Sequence, residues 1–398
     1  MNVEGGGAAA GVTGGGAADG LPSALLLRFF YLISLSSLGM MVSYMPLAFK
    51  ERGVSMTAMS SVLLLAGVGR ILAPGTWGYV ADRFQLTALL MRVGAWGATL
   101  SYLLLLQPST PLAALGLLFF TLFRTPTSVI TDTLAFKRAE RTGESYGSYR
   151  LWGTVGYILA TLLGGYVCEH WNAWTTLAVG AFFQLAAALL THALPHAAPA
   201  PRVPILPVLT RMVSRPVYLV FLLAITCHTV GQTTYDNFFP LHFDRLGLSR
   251  SWIGWTVGLG ASCEVMVMSV SGRLLSRYRP VSVLLLANVV AGVRWLLNAW
   301  VTTPELLLLI QALHGITFGA WYICSATWIN REAPAEIKAS AQGILTMASY
   351  GLGGVIATGI GGTVGQVYGT SVQFVVCAGL SMVAAGLTLW AGKLQSAR

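Results

Sequence analysis

The chain has 398 residues, 55% of them hydrophobic and only 10% charged, against roughly 25% charged in an average soluble domain. That balance excludes a disordered chain and an ordinary soluble enzyme. The net charge of +10 does not point to nucleic acid, because the basic residues fall in short runs between long apolar stretches, as they do in the loops of membrane proteins.

Residues 1–22 are mostly Gly and Ala and cannot bury a core, so they are expected to form a disordered cytoplasmic N-terminus. They lack the basic n-region of a signal peptide. Twelve apolar stretches follow, at 24–49, 56–81, 86–107, 111–135, 150–168, 172–193, 216–240, 251–273, 281–301, 304–329, 340–364 and 370–392. Each can supply the ~20 residues of a membrane-spanning helix. None shows the alternation of a membrane β-strand.

Sixteen lysines and arginines fall in one set of loops and ends, from Arg28 and Lys137 to Lys393 and Arg398, against four (Lys50, Arg52, Arg245, Arg250) in the other. The excess of basic residues predicts that both termini are cytoplasmic. Five scattered cysteines form no CxxC pair, so neither a zinc site nor a disulfide framework is indicated. No cofactor is expected.

A Pro-rich basic loop at 194–215 divides the chain into halves, 23–193 and 216–398. The halves share identities at an offset of 194. Pro46, Leu47, Phe49, Gly53 and Ser55 match Pro240, Leu241, Phe243, Gly247 and Ser249, and Gly78 and Arg83 match Gly272 and Arg277. The expected fold is an all-α integral membrane protein of twelve helices in two pseudo-symmetric six-helix halves, the architecture of duplicated transporters. Glycine gathers in spans two, five, eight and eleven. Helices that associate in lipid need close backbone approach, so these four are expected to form the seam between the halves.

An ionised side chain at the bilayer centre costs about 2.5–3.5 kcal/mol, so charges within spans are candidates for function. Arg70, Arg124, Asp132, Asp236, Glu264 and Arg294 lie there, with the titratable His314. Glu264 and Arg294 occupy adjacent spans and read either as a proton switch, opened when the pair separates, or as a permanent ion pair that fixes packing. His314 has the chemistry of a relay.

Asp132 and Arg150 read either as a polar clamp on a solute or as a tie between spans four and five. Arg70 is equivalent to Glu264 under the repeat and can face the same cavity or neutralise Asp132. Arg124 precedes Pro126 by two residues and can satisfy the carbonyl that proline frees, or touch solute. Asp236, near the outer end of span seven, reads as hydrated. Gln232 shares a face with His228. Trp321 and Trp295 are mid-span and suited to stacking on a ring.

Gly78-Tyr79-Val80-Ala81-Asp82-Arg83-Phe84, between spans two and three, resembles the loop signature of the major facilitator superfamily; Gly78, Asp82 and Arg83 would then belong to its gating loop. The run Asp132-Thr133-Leu134-Ala135-Phe136-Lys137 and the later Tyr146-Gly147-Ser148-Tyr149-Arg150-Leu151-Trp152-Gly153 resemble its proton-symporter branch, which includes lactose permease, nucleoside permeases and the phenylpropionate permease group. The resemblance implies solute binding at Asp132, Arg150 and Tyr157, and proton coupling at Glu264, Arg294 and His314. Thr317 stands where that branch carries a second glutamate.

The expectation is a proton-coupled symporter of a bacterial inner membrane. It would import a small organic solute, such as an aromatic acid, sugar or nucleoside, by alternating access. Arg70, Gln232 and Trp321 join its solute site, and its partners are solute, proton and membrane lipid rather than nucleic acid. Proton-driven efflux on the same fold is the alternative. A monomer is the superfamily's default.

Overall fold

Within lipid, an apolar run can satisfy its own backbone only by coiling, and in the computed structural model of the protein the predicted spans are helices. The structure describes residues 21–84, 87–144, 146–194, 210, 212, 214–333 and 338–396, with backbone alone for 74–76, 78–84, 87–88 and 338–340. The predicted N-terminal tail up to residue 20, nearly all of the 194–215 loop, and the side chains of Gly78, Asp82 and Arg83 lie outside the described residues.

The first six helices are α1 (Ala24–Glu51), α2 (Met56–Phe84), α3 (Thr87–Leu105), α4 (Thr110–Thr142), α5 (Tyr146–His170) and α6 (Ala173–Leu190). Then come α7 (Pro216–Arg245), α8 (Ser251–Ser269, with a bent extension Ser271–Arg277), α9 (Pro280–Trp300) and α10 (Pro304–Glu332). The last two are α11, which begins as Lys338–Thr346 and ends as Gly354–Tyr368, and α12 (Thr370–Ser396). Among the described residues, ten are long and apolar enough to cross a bilayer singly; α8 qualifies with its extension, and α3 is shorter.

Helix ends follow local chemistry. Ser23 and Asn172 cap α1 and α6 by accepting N–H groups of Leu26 and Thr175, which the first turn leaves unpaired. Gly143, at φ 74°, ends α4 in the left-handed conformation that glycine adopts without strain. α4 therefore runs seven residues past its predicted end.

α1 packs on α5 and α6, and α4 on α2 and α3; likewise α7 packs on α11 and α12, and α10 on α8 and α9. The two six-helix halves meet where α5 lies on α8, α2 on α11 and α1 on α7. These contacts include the four glycine-rich helices. Gly254 of α8 faces the Thr161 carbonyl of α5, and Gly67 of α2 faces Val355 of α11.

The repeat is visible in the backbone. After α1, Gly53 has φ 74° and donates to the Lys50 carbonyl at 2.9 Å; after α7, Gly247 has φ 68° and donates to the Asp244 carbonyl at 3.2 Å.

The two ends of the molecule differ. Where α1 and α7 finish, Tyr44–Phe49 and Phe238–Phe243 are buried. Ion pairs cross between the halves there, from Lys50 to Asp244 and from Arg250 to Glu51. At the end that carries both termini, Tyr322 of α10 lies within the fields of Arg150, Asp132 and Glu264 yet is 44% exposed. The halves are therefore tied together at the Lys50 end.

Candidate functional site

A cavity of about 270 Å³ lies between the halves. Helical periodicity brings its lining to one face of each helix. α1 contributes Leu35, Leu38 and Val42, and α5 contributes Arg150, Thr154 and Tyr157. Across from them stand Tyr235, Asp236 and Phe239 of α7, Val257, Gly260 and Glu264 of α8, Arg294 of α9, and Gln311, His314 and Phe318 of α10.

Arg294 is the centre of the C-terminal wall. It is 1% exposed, and its Nη groups, though not its Nε, find acceptors that offset the cost of burying the charge. It donates to Gln311 Oε1 at 2.5 Å, Thr317 Oγ1 at 3.0 Å, His314 Nδ1 at 3.1 Å and Gln232 Oε1 at 3.3 Å. Its charge also lies 4.6 Å from the centre of the Tyr235 ring and 4.7 Å from that of Trp295, a cation–π arrangement. Among the described residues no carboxylate lies within 4 Å of it.

The predicted Glu264–Arg294 ion pair is therefore not made; His314 stands between the two. Guanidinium N–H groups only donate, so the Nδ1 that faces Arg294 is an acceptor and the neutral ring carries its proton on Nε2. That nitrogen lies 3.7 Å from Glu264 Oε2, beyond hydrogen-bond length. A shift of α8 against α10 by less than 1 Å makes that bond.

Asp236 corrects a second expectation. It faces the cavity rather than the hydrated end of α7. Its Oδ1 accepts from Gln232 Nε2 at 2.8 Å, so the Gln232 amide bridges Asp236 and Arg294. The charges of Arg294, Glu264 and Arg70 all act on it.

On the N-terminal wall, Asp132 and Arg150 are not paired. Asp132 Oδ1 accepts from Tyr31 Oη at 2.5 Å and from Tyr146 Oη at 3.0 Å. Asp132 does not line the cavity. Arg150 does, and its Nη1 is buried with no hydrogen-bond partner.

Arg70 is exposed near α11, with Gly354 3.9 Å away, and pairs with neither Asp132 nor Glu264. Arg124 does not satisfy the carbonyl freed by Pro126. The Trp77 indole donates to that Leu122 oxygen at 2.7 Å, while Arg124 reaches Ser34 Oγ at 3.5 Å.

Of the residues predicted for solute and proton, Arg150, Tyr157, Glu264, Arg294 and His314 share one cavity. Gln232 supports it from behind. Trp321 is 2% exposed and stacked on His228 with ring centres 4.4 Å apart, so it offers no face to a solute. Asp236, Gln311 and Tyr235 were missed as site residues. Asp236 carried a signal, since it was one of the few carboxylates within a span; a neutral amide such as Gln311 carries none.

The model of the MFS_1 like family matches residues 24–376. The maltose permease of Geobacillus stearothermophilus is 27% identical over 79% of this chain and 80% of its own. The nucleoside permease NupG of Escherichia coli is 24% identical over 82% and 83%. The probable 3-phenylpropionic acid transporter of the same organism is 25% identical over 63% and 65%.

The crystal structure of the nucleoside transporter NupG superimposes with a TM-score of 0.82 at 19% identity, covering 93% of this chain and 99% of that one. A peptide transporter POT in complex with sulfate gives 0.71 at 13% identity and 94% of each chain. These likenesses share the fold built above from helix packing. The chain belongs to the MFS_1 like family of the major facilitator superfamily and is a multi-pass membrane transporter, not an enzyme.

Proposed function

We propose that the protein is a proton-coupled symporter that imports a small organic solute across a bacterial inner membrane, as a monomer with both termini in the cytoplasm. The observation that carries this reading is the row Glu264–His314–Arg294 along the wall of the cavity between the halves. In that row we assign the coupling proton to the Glu264 carboxylate. Arg294 is fixed by four side chains, and His314 Nδ1 is taken by the Arg294 guanidinium.

A proton that settles on Glu264 removes a charge from the cavity wall and with it the cost of enclosing that charge in a dry site. Protonation therefore favours closure around solute, and deprotonation favours reopening. The excess of basic residues at the termini end makes that end cytoplasmic, so the tied Lys50 end faces outward.

The test is transport into proteoliposomes with maltose, uridine and 3-phenylpropionate as radiolabelled probes, drawn from the solutes named for its relatives. An acidic exterior is expected to drive accumulation of at least one probe, abolished by a protonophore. Glu264→Gln is expected to lose accumulation while keeping exchange of solute at equal concentrations on both sides. Accumulation that survives in Glu264→Gln refutes Glu264 as the coupling group; accumulation indifferent to the protonophore refutes the symport reading altogether.

A further inference from the structure

We infer that the solute is a small organic anion whose carboxylate is received by the Arg150 guanidinium, an inference that rests on the transporter reading but not on its proton coupling. The first support is an unused donor. Arg150 Nη1 is buried at the cavity wall without a partner. The neighbouring acid, Asp132, is taken by the hydroxyls of Tyr31 and Tyr146. A buried charged donor left unmade is costly, so the site as built lacks an acceptor.

The second support is the balance of charge. Arg150 and Arg294 line the space, against the carboxylates of Asp236 and Glu264. Arg294 and Asp236 are set against one another through Gln232. Glu264 faces His314, and among the described residues Arg150 has no carboxylate within 4 Å. When the halves close and water leaves, a sugar or nucleoside hydroxyl would fill hydrogen bonds but leave the Arg150 charge unpaired. A carboxylate fills both, and the planar fork of arginine matches it bidentately.

The third support is the rest of the wall. Leu38 on the same wall, and Phe239 and Phe318 on the facing one, present apolar surface, and the volume of about 270 Å³ suits a body the size of a single ring.

The test uses the purified full-length protein in detergent, with ligand-induced shifts of the unfolding temperature as the readout. The probes are benzoate, benzamide, benzylamine and phenylalanine, which share a ring and differ in charge, and hexanoate as an acid without one. At least one of the two acids is expected to bind about tenfold or more tightly than benzamide, the scale of a charge-assisted bond. Arg150→Gln is expected to remove that preference, and Arg150→Lys to retain part of it, since it keeps the charge and loses the fork.

Benzamide, benzylamine or phenylalanine binding as well as the acids overturns the inference. So does a failure of both acids to bind, or acid binding that Arg150→Gln leaves unchanged. Should the variants not fold, the acid-to-amide comparison on the wild-type protein decides alone. No gradient is applied, so loss of this inference leaves proton coupling at Glu264 standing, and failure of Glu264 to couple leaves acid binding standing.

Discussion

Gly153 stands three residues after Arg150 on α5, and the guanidinium folds back over it. A Cβ at 153 would lie 2.7 Å from Arg150 Nη1 and 3.0 Å from Leu35 Cδ2, the ends of two flexible side chains. Gly153→Ala therefore pushes the guanidinium off its place without disturbing backbone. Alanine also favours the helix by roughly 0.5–1 kcal/mol over glycine. The variant is expected to unfold at an unchanged or slightly higher temperature while its solute affinity falls about tenfold, the scale of one charge-assisted bond; titration of a bound solute against both proteins checks this.

At this scale, the charged members of the site were legible because a charge among apolar residues is costly and so conspicuous. Their partners were not. Nothing local tells that Tyr31, 101 residues away, takes Asp132, or that His314 comes between Glu264 and Arg294. Trp321 misled because mid-span position says nothing about which way a ring faces.

Two glycines of α8 face α5 with different clearances. A Cβ at Gly254 would sit 2.5 Å from the Thr161 carbonyl oxygen and 3.1 Å from Leu162 Cα, both backbone atoms that cannot step aside. At Gly258 the nearest atom would be Ile158 Cγ2 at 3.6 Å, an ordinary contact. Gly254→Ala is expected to cost about 1–3 kcal/mol, the usual penalty of overpacking, and Gly258→Ala close to nothing. Thermal unfolding of the two variants side by side separates them; equal costs would mean that α5 and α8 are not in close contact. Glycine density thus marked the helices that meet at the seam, because dense packing in lipid needs small residues. Interruptions within helices were not legible. α8 bends by 56° at its break, and α10 and α11 widen into π-turns at Gly315–Ala320 and Met347–Gly353. Such turns trade one hydrogen-bond register for another within unbroken apolar sequence, so composition carries no trace of them.

The whole molecule is closed at one end by its own symmetry. Lys50 and Asp244 are equivalent residues under the repeat, 194 apart, and pair with one another across the two halves. Beside them Arg250 pairs with Glu51, lies 3.9 Å from Asp244, and donates its backbone N–H to Glu169 at 2.6 Å. These ties must break before the Lys50 end can open. Partly exposed ion pairs are worth about 0–1 kcal/mol each, so the two together bias the balance between the two shapes by up to about 30-fold and do not lock it. Asp244→Asn with Arg250→Gln is expected to raise the population open at the Lys50 end by up to that factor. High salt should have a similar but smaller effect on the wild-type protein, because screening weakens exposed pairs. Placed on Arg250→Gln, so that no lysine faces an arginine, the exchange Lys50→Asp with Asp244→Lys is expected to restore the Lys50 tie, since equivalent positions present the same pair with its signs reversed. The measurement is the rate at which an impermeant maleimide reaches a cysteine placed at Ser43, on the cavity wall, with the five native cysteines replaced by serine. Faster labelling in the double neutral variant and a return toward the wild-type rate in the exchange establish the ties as the closure. A double neutral variant that labels at the wild-type rate would show that the buried rings of α1 and α7, rather than the charges, hold that end shut.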